Sequence, residues 1–175
     1  MKNQKKIRGI AVGAVVAALY VVLTYLANSL GLASGAIQVR LSEILTVMPV
    51  FTPYAIPGLF IGCVLANVLT GCALWDVVFG SLATLIGAIG TYLLRKHNLL
   101  SVVPPILANA IIVPFVLLFV YSLDGTYFYF FATVGIGEVI SCGVFGTILL
   151  KSLKKYNKFM WKICKNGLFL LGNVV

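Results

Sequence analysis

Apolar residues run through this chain in long blocks, separated by short polar or proline-bearing breaks. The first block, residues 10–30, is close to the ~20 residues a helix needs to cross a hydrocarbon core. It opens with small residues: Gly9, Ala11, Gly13, Ala14, Ala17 and Ala18. A polar, glycine-containing stretch over 28–38 separates it from a second helix starting near Arg40. Pro49, Pro53 and Pro57 bracket residues 50–56, which predicts a second helix that is short, kinked or tilted. A third helix is expected over 58–69, and the Thr70-Gly71-Cys72 turn leads to a fourth over 74–94, closed by Arg95-Lys96-His97. Pro104-Pro105 opens a fifth over 106–121. A loop with Asp124-Gly125 follows, then a sixth helix over 130–150 and a lysine-rich end.

The pattern predicts an all-α integral membrane protein. Residues 1–155 form one six-transmembrane-helix bundle, and 156–175 form a basic and apolar tail too short to span. Composition agrees: 175 residues, 61% hydrophobic and 10% charged, is not the make-up of a soluble domain. The first block is too long, and too plainly followed by others, for a cleaved signal peptide. Charge then sets the orientation. Lys2, Lys5, Lys6, Arg8, Arg95, Lys96, Lys151, Lys154, Lys155, Lys158, Lys162 and Lys165 fall on the side of the termini, and Arg40 falls opposite. By the positive-inside rule both termini and the Arg95 loop are cytoplasmic. A net charge of +9 therefore reports topology and not nucleic-acid binding. Cys63, Cys72, Cys142 and Cys164 form no CxxC and no ligand-like cluster with His97; they read as small apolar residues, with neither disulfide nor metal. With no phosphate loop, HExxH or Ser-His-Asp set, no catalytic residue is assigned and no ATP hydrolysis is expected from this chain.

The acids carry the candidate chemistry. Glu43, Asp76, Asp124 and Glu138 all fall in the outer half of the expected bundle, with Arg40 as the one basic residue there. A cavity so lined favours a cationic solute. Arg40 and Glu43 are three apart, so on a helix they share a face and can pair. Glu138 lies in mid-helix in Gly135-Ile136-Gly137-Glu138-Val139-Ile140-Ser141, where a carboxylate must face the bundle interior or water. Asp76, Gly80, Thr84, Gly87 and Thr91 recur at helical spacing and predict a small, polar, inward face. Asn67 and Asn109 are amides within apolar helices, each an interhelical bonding group or a ligand contact. Asp124 reads as a solvated loop acid. Trp75, Tyr121, Tyr127, Phe128, Tyr129, Phe130 and Phe131 crowd the outer ends and read chiefly as an interfacial aromatic belt, one or two of them available to stack on a flat ring.

Three stretches resemble the QueT family: Gln38-Val39-Arg40-Leu41-Ser42-Glu43 running into Leu45-Thr46-Val47-Met48-Pro49, then residues 53–66, then Asp76-Val77-Val78-Phe79-Gly80-Ser81-Leu82-Ala83-Thr84. The resemblance implies a substrate-binding S component of an energy-coupling factor transporter. Its expected ligand is a queuosine precursor, the deazapurine base 7-aminomethyl-7-deazaguanine, and its expected partners are a T component and two ATPase subunits. It implies no cofactor, and it implies that an alanine-rich first helix, here with Ala14 and Ala18, docks on the T component. The chemistry of such a ligand suits Arg40, Glu43, Asn67, Asp76, Asn109 and Glu138: an ammonium and adjacent N–H donors meet carboxylates. Two other classes fit the residues. One is a proton-coupled secondary carrier for a small organic cation, and the other an intramembrane enzyme using Glu43 and Glu138 as acid and base.

Overall fold

The computed structural model describes residues 2–32, 39–97 and 99–155. Gln38, Cys164 and the tail expected over 156–175 lie outside the described residues. The order of elements is α1 (Lys2–Ser29), a 3-10 helix (Leu41–Val50), α2 (Ala55–Leu69), α3 (Leu74–Leu93), a short 3-10 turn (Leu100–Val102) leading into α4 (Val103–Phe119), then α5 (Tyr127–Glu138), a π segment (Val139–Gly146) and α6 (Thr147–Lys155) in one continuous run. The expected count of six helical crossings fits this order. Four stretches, Lys6–Ser29, Leu74–Leu93, Leu100–Phe119 and Tyr127–Lys155, are long and apolar enough to cross a membrane, and Leu41–Val50 and Ala55–Leu69 are shorter.

Several boundaries differ from the sequence expectation for identifiable reasons. The basic arm before Gly9 is not a separate arm; it is the first part of α1. The second helix is short, as the prolines require, but it is a 3-10 helix with Pro49 inside it. A 3-10 helix rises about 2.0 Å per residue against 1.5 Å for an α-helix, so a short segment reaches deeper. Pro57 does not end a helix. It sits in the first turn of α2, where a missing N–H costs nothing. The sixth helix runs past its expected ends on both sides and widens into a π segment directly after Glu138.

Small residues let the helices approach. A Cβ on Gly58 would strike the Gly13 carbonyl, and one on Gly62 would lie 2.9 Å from the Tyr20 side chain and 3.0 Å from Ala17. That is how α1 meets α2. Gly87 and Gly90 of α3 open space for Pro105 and Pro104 at the start of α4. The predicted inward stripe on α3 is buried along its length, through Asp76, Gly80, Thr84, Gly87 and Thr91. The core between α1, α2 and α3 contains Val16, Tyr20, Leu59, Cys63, Ala66 and Ala88. A second cluster, Val113, Leu117, Phe130 and Val134, joins α4 to α5. Outside, Leu19, Val22, Phe79, Ile86, Ile111 and Phe115 are exposed. Such an apolar surface suits lipid contact and not water.

The crossings alternate in direction. The breaks after α1, α2 and α4 lie at one end of the bundle, and Lys6, Arg8, Arg95, Lys96, Lys151 and Lys155 lie at the other.

Candidate functional site

Two layers of polar groups lie toward the end of the bundle opposite the lysines. The deeper layer is built on Glu43, in the first turn of the Leu41–Val50 helix and fully buried. The Tyr20 hydroxyl of α1 donates to Glu43 Oε1, and Thr84 Oγ1 of α3 donates to the same oxygen at 3.3 Å. Glu43 Oε2 has no partner. Facing it is Glu138, 3% exposed, the last residue of α5. Cys142 Sγ, one turn on in the π segment, lies 3.3 Å from both Glu138 Oε2 and the Glu43 carbonyl oxygen, and its one S–H can donate to either. Thr46 Oγ1 lies 3.3 Å from the same sulfur. A tight helix and a wide helix thus meet through Thr46, Cys142 and the Glu43 backbone. π segments recur at functional positions because the extra residue per turn re-aims side chains.

Asn109 of α4 is fully buried close enough to act on both carboxylates, though neither its Nδ2 nor its Oδ1 reaches full hydrogen-bonding geometry with any group of the chain. Ser141 Oγ is also buried and unpartnered. Native interiors leave few polar atoms in this state, because each costs about 1–3 kcal/mol. An amide in this state beside two carboxylates marks a place built to meet another group.

The shallower layer lines a cavity of about 270 Å³ with Tyr20, Arg40, Ser42, Asn67, Asp76 and Tyr121 among its walls. This is at the small end of ligand pockets. Asp76, 6% exposed, opens α3; its Oδ2 accepts from the Tyr121 hydroxyl at 3.1 Å, and its Oδ1 is unpartnered. Tyr121 in turn accepts from the Ala73 N–H at 3.1 Å. Ser122 takes a left-handed φ of 49°, and its neighbours Tyr121 and Leu123 both line the cavity. The Asn67 amide donates to the Asp76 carbonyl at 3.5 Å. Asn67 Nδ2 and Asp76 Oδ1 flank Gly80, at 3.2 and 3.3 Å from where a Cβ would sit. Tyr20 belongs to both layers, since it walls the cavity and holds Glu43.

The six residues singled out as ligand contacts are therefore gathered in one region, Arg40, Asn67 and Asp76 around the cavity and Glu43, Asn109 and Glu138 beneath it. The expected Arg40–Glu43 pairing on one helical face is not the arrangement found. Arg40 is the N-cap, with extended φ −94° and ψ 99°, so it stands off the helix. Glu43 takes its hydrogen bonds from Tyr20 and Thr84, and Arg40 shares the cavity wall with Asp76. Asp124 is exposed, as a loop acid should be. Of the aromatic residues expected at this end, Tyr121 reaches the cavity, whereas Trp75, Phe128 and Tyr129 are exposed. Ala14 and Ala18 are exposed on α1, while Gly13 and Ala17 beside them are buried against α2.

Tyr20, Ser141 and Cys142 had not been read as site residues. Cys142 is not a plain apolar filler: its thiol bridges the two acidic segments. The ligand atoms of Glu43, Glu138 and Cys142 lie within 4.8 Å of one another. A metal there would need Cys142 as thiolate, whereas a single S–H on this sulfur has an acceptor at 3.3 Å in either the Glu138 carboxylate or the Glu43 carbonyl.

Residues 10–155 match the sequence pattern of the QueT transporter family. The chain belongs to the QueT transporter family. A relative from Lactococcus lactis subsp. cremoris (strain MG1363), named Queuosine precursor transporter QueT, is 40% identical over 74 residues, which is 42% of this chain and 43% of the relative. The matched part thus spans less than half of that relative's length. No solved structure matches the chain. Membership of a transporter family speaks against the intramembrane-enzyme reading of the Glu43–Glu138 pair.

Proposed function

We propose that this chain is the substrate-binding S component of an energy-coupling factor transporter in the bacterial plasma membrane, and that it captures a queuosine precursor, 7-aminomethyl-7-deazaguanine, from outside. The observation that carries this reading is the set of buried carboxylates with unpartnered atoms beneath a small cavity at one end of the bundle. A flat, cationic, donor-rich base supplies what Glu43, Asp76 and Glu138 lack. Arg40, Asn67 and Asn109 complete the contacts, reading acceptor and donor positions on the ring. The name of the Lactococcus relative points to the same class of ligand.

The orientation follows from charge. The basic end is cytoplasmic, so both termini are inside and the cavity opens outward. The exposed pair Ala14 and Ala18 forms a small-xxx-small surface that admits a second helix to backbone contact, and it docks on the T component, which brings the two ATPase subunits. No nucleic acid takes part.

Co-purification tests the assembly and mass spectrometry tests the ligand. Affinity-purified chain expressed with its host's transport subunits should bring down a T component and ATPases and retain a deazapurine. Two carboxylates this close also suit a proton-coupled carrier for an organic cation. That second reading requires the chain alone, in proteoliposomes, to accumulate solute under a pH gradient, whereas an S component alone will not.

A further inference from the structure

The two layers offer different chemistry to a ligand. The deep layer is dominated by carboxylate: Glu43 Oε2 is buried and unpartnered, the Glu138 carboxylate lies within 4.8 Å of that of Glu43, and the Asn109 amide beside them has both its oxygen and its nitrogen open. An ammonium carries three N–H donors and no acceptor. The shallow layer is mixed. Asp76 Oδ1 is an open acceptor, while Asn67 and Arg40 carry N–H donors around the same cavity and the Tyr121 hydroxyl holds the other Asp76 oxygen. The edge of a guanine-like ring is mixed in the same way, with N–H donors beside a carbonyl.

Position sorts the layers the same way. Arg40 and Asp76 share the cavity wall. Below it the ligand atoms of Glu43 and Glu138 lie within 4.8 Å of each other, and both side chains are buried, where a cation gains most. Tyr20 and Ser42 wall the cavity and adjoin Glu43, so the deep layer lies directly behind the cavity wall, on the side that a projecting arm of the ligand would face.

We infer that the site reads its ligand at two depths: Glu43, Asn109 and Glu138 take the ammonium arm, and Asp76, Asn67, Tyr121 and Arg40 take the ring edge. This assignment rests on the proposed binding of a deazapurine. It makes the deep carboxylates the specificity determinants for an amine-bearing ring over a neutral one.

The test crosses residues with ligands. Full-length chain in detergent is titrated calorimetrically with 7-aminomethyl-, 7-methyl- and 7-cyano-7-deazaguanine. Wild type should prefer the aminomethyl compound. Glu138→Gln should lose about ten- to a hundredfold in affinity for the aminomethyl compound and change little for the two neutral ones, erasing the preference. Asp76→Asn should weaken all three by similar factors. Glu43→Gln, on a different helix, should repeat the Glu138→Gln pattern, so misfolding of one variant still leaves a reading. The assignment is overturned if Asp76→Asn erases the amine preference, or if both deep variants keep it. Failure of wild type to bind any of the three overturns the deazapurine reading itself.

Discussion

Replacing Glu43 by Gln should move stability and binding in opposite directions. The side chain is fully buried, so a change of charge cannot be hidden by solvent. Oε1 accepts from Tyr20 and Thr84, and a glutamine carbonyl in the same place keeps both bonds. Oε2 has no partner and stands near Asn109 and Glu138. An amide NH2 there gains acceptors to donate to, and one of two adjacent carboxylates loses its charge. One new buried hydrogen bond adds about 0.5–1.5 kcal/mol, on the order of a few degrees in melting temperature for a chain of this size. The same change removes a charge-assisted contact to a cationic ligand, worth about 1.5–3 kcal/mol, or about ten- to a hundredfold in Kd. Thermal unfolding of the purified protein without ligand, paired with calorimetric titration of 7-aminomethyl-7-deazaguanine, measures both. A lower melting temperature with unchanged affinity would show that Glu43 is a structural acid, and the reasoning would fail.

Other consequences follow from the same geometry. With the cavity facing out, a cysteine replacing Asp124 should react with an impermeant thiol reagent on intact cells, and one replacing Lys155 should not; the reverse pattern would invert the site. Ala14→Trp or Ala18→Leu should abolish capture of the T component and uptake while ligand binding to the isolated chain persists, and parallel loss of both would make α1 an internal packing helix. Gly58→Val, by contrast, should force α1 from α2 at the Gly13 contact. Overpacking of this kind costs about 1–3 kcal/mol, read as a lower melting temperature that Ala14→Trp does not share.

The architecture was legible because membrane helices announce themselves by length and hydropathy, and because twelve of thirteen basic residues fall on one side. The α3 stripe was legible for the same reason: small and polar residues at helical spacing have nowhere to face but inward. Glu138 and Glu43 stood out as carboxylates among apolar residues. What stayed hidden depends on backbone geometry. Neither the 3-10 form of Leu41–Val50 nor the π segment has a hydropathy signature, and neither does the extended backbone of Arg40 that turns this residue off the helix. Cys142 enters the site because the π segment carries it there, and the glycines at 135, 137, 143 and 146 are the available hint of irregular backbone. Tyr20 was concealed by its surroundings: one hydroxyl in a long apolar helix reads as an interfacial residue until its partner across the bundle is known.

The central claim is that the buried carboxylates receive a cationic deazapurine. Titration of 7-aminomethyl-7-deazaguanine into wild type and into a Glu43→Gln, Glu138→Gln double variant, both checked for folding by thermal melt, addresses it most directly. The account predicts saturable binding of one ligand per chain to wild type and none at the same concentrations to the folded double variant. Equal binding by the two proteins would contradict it.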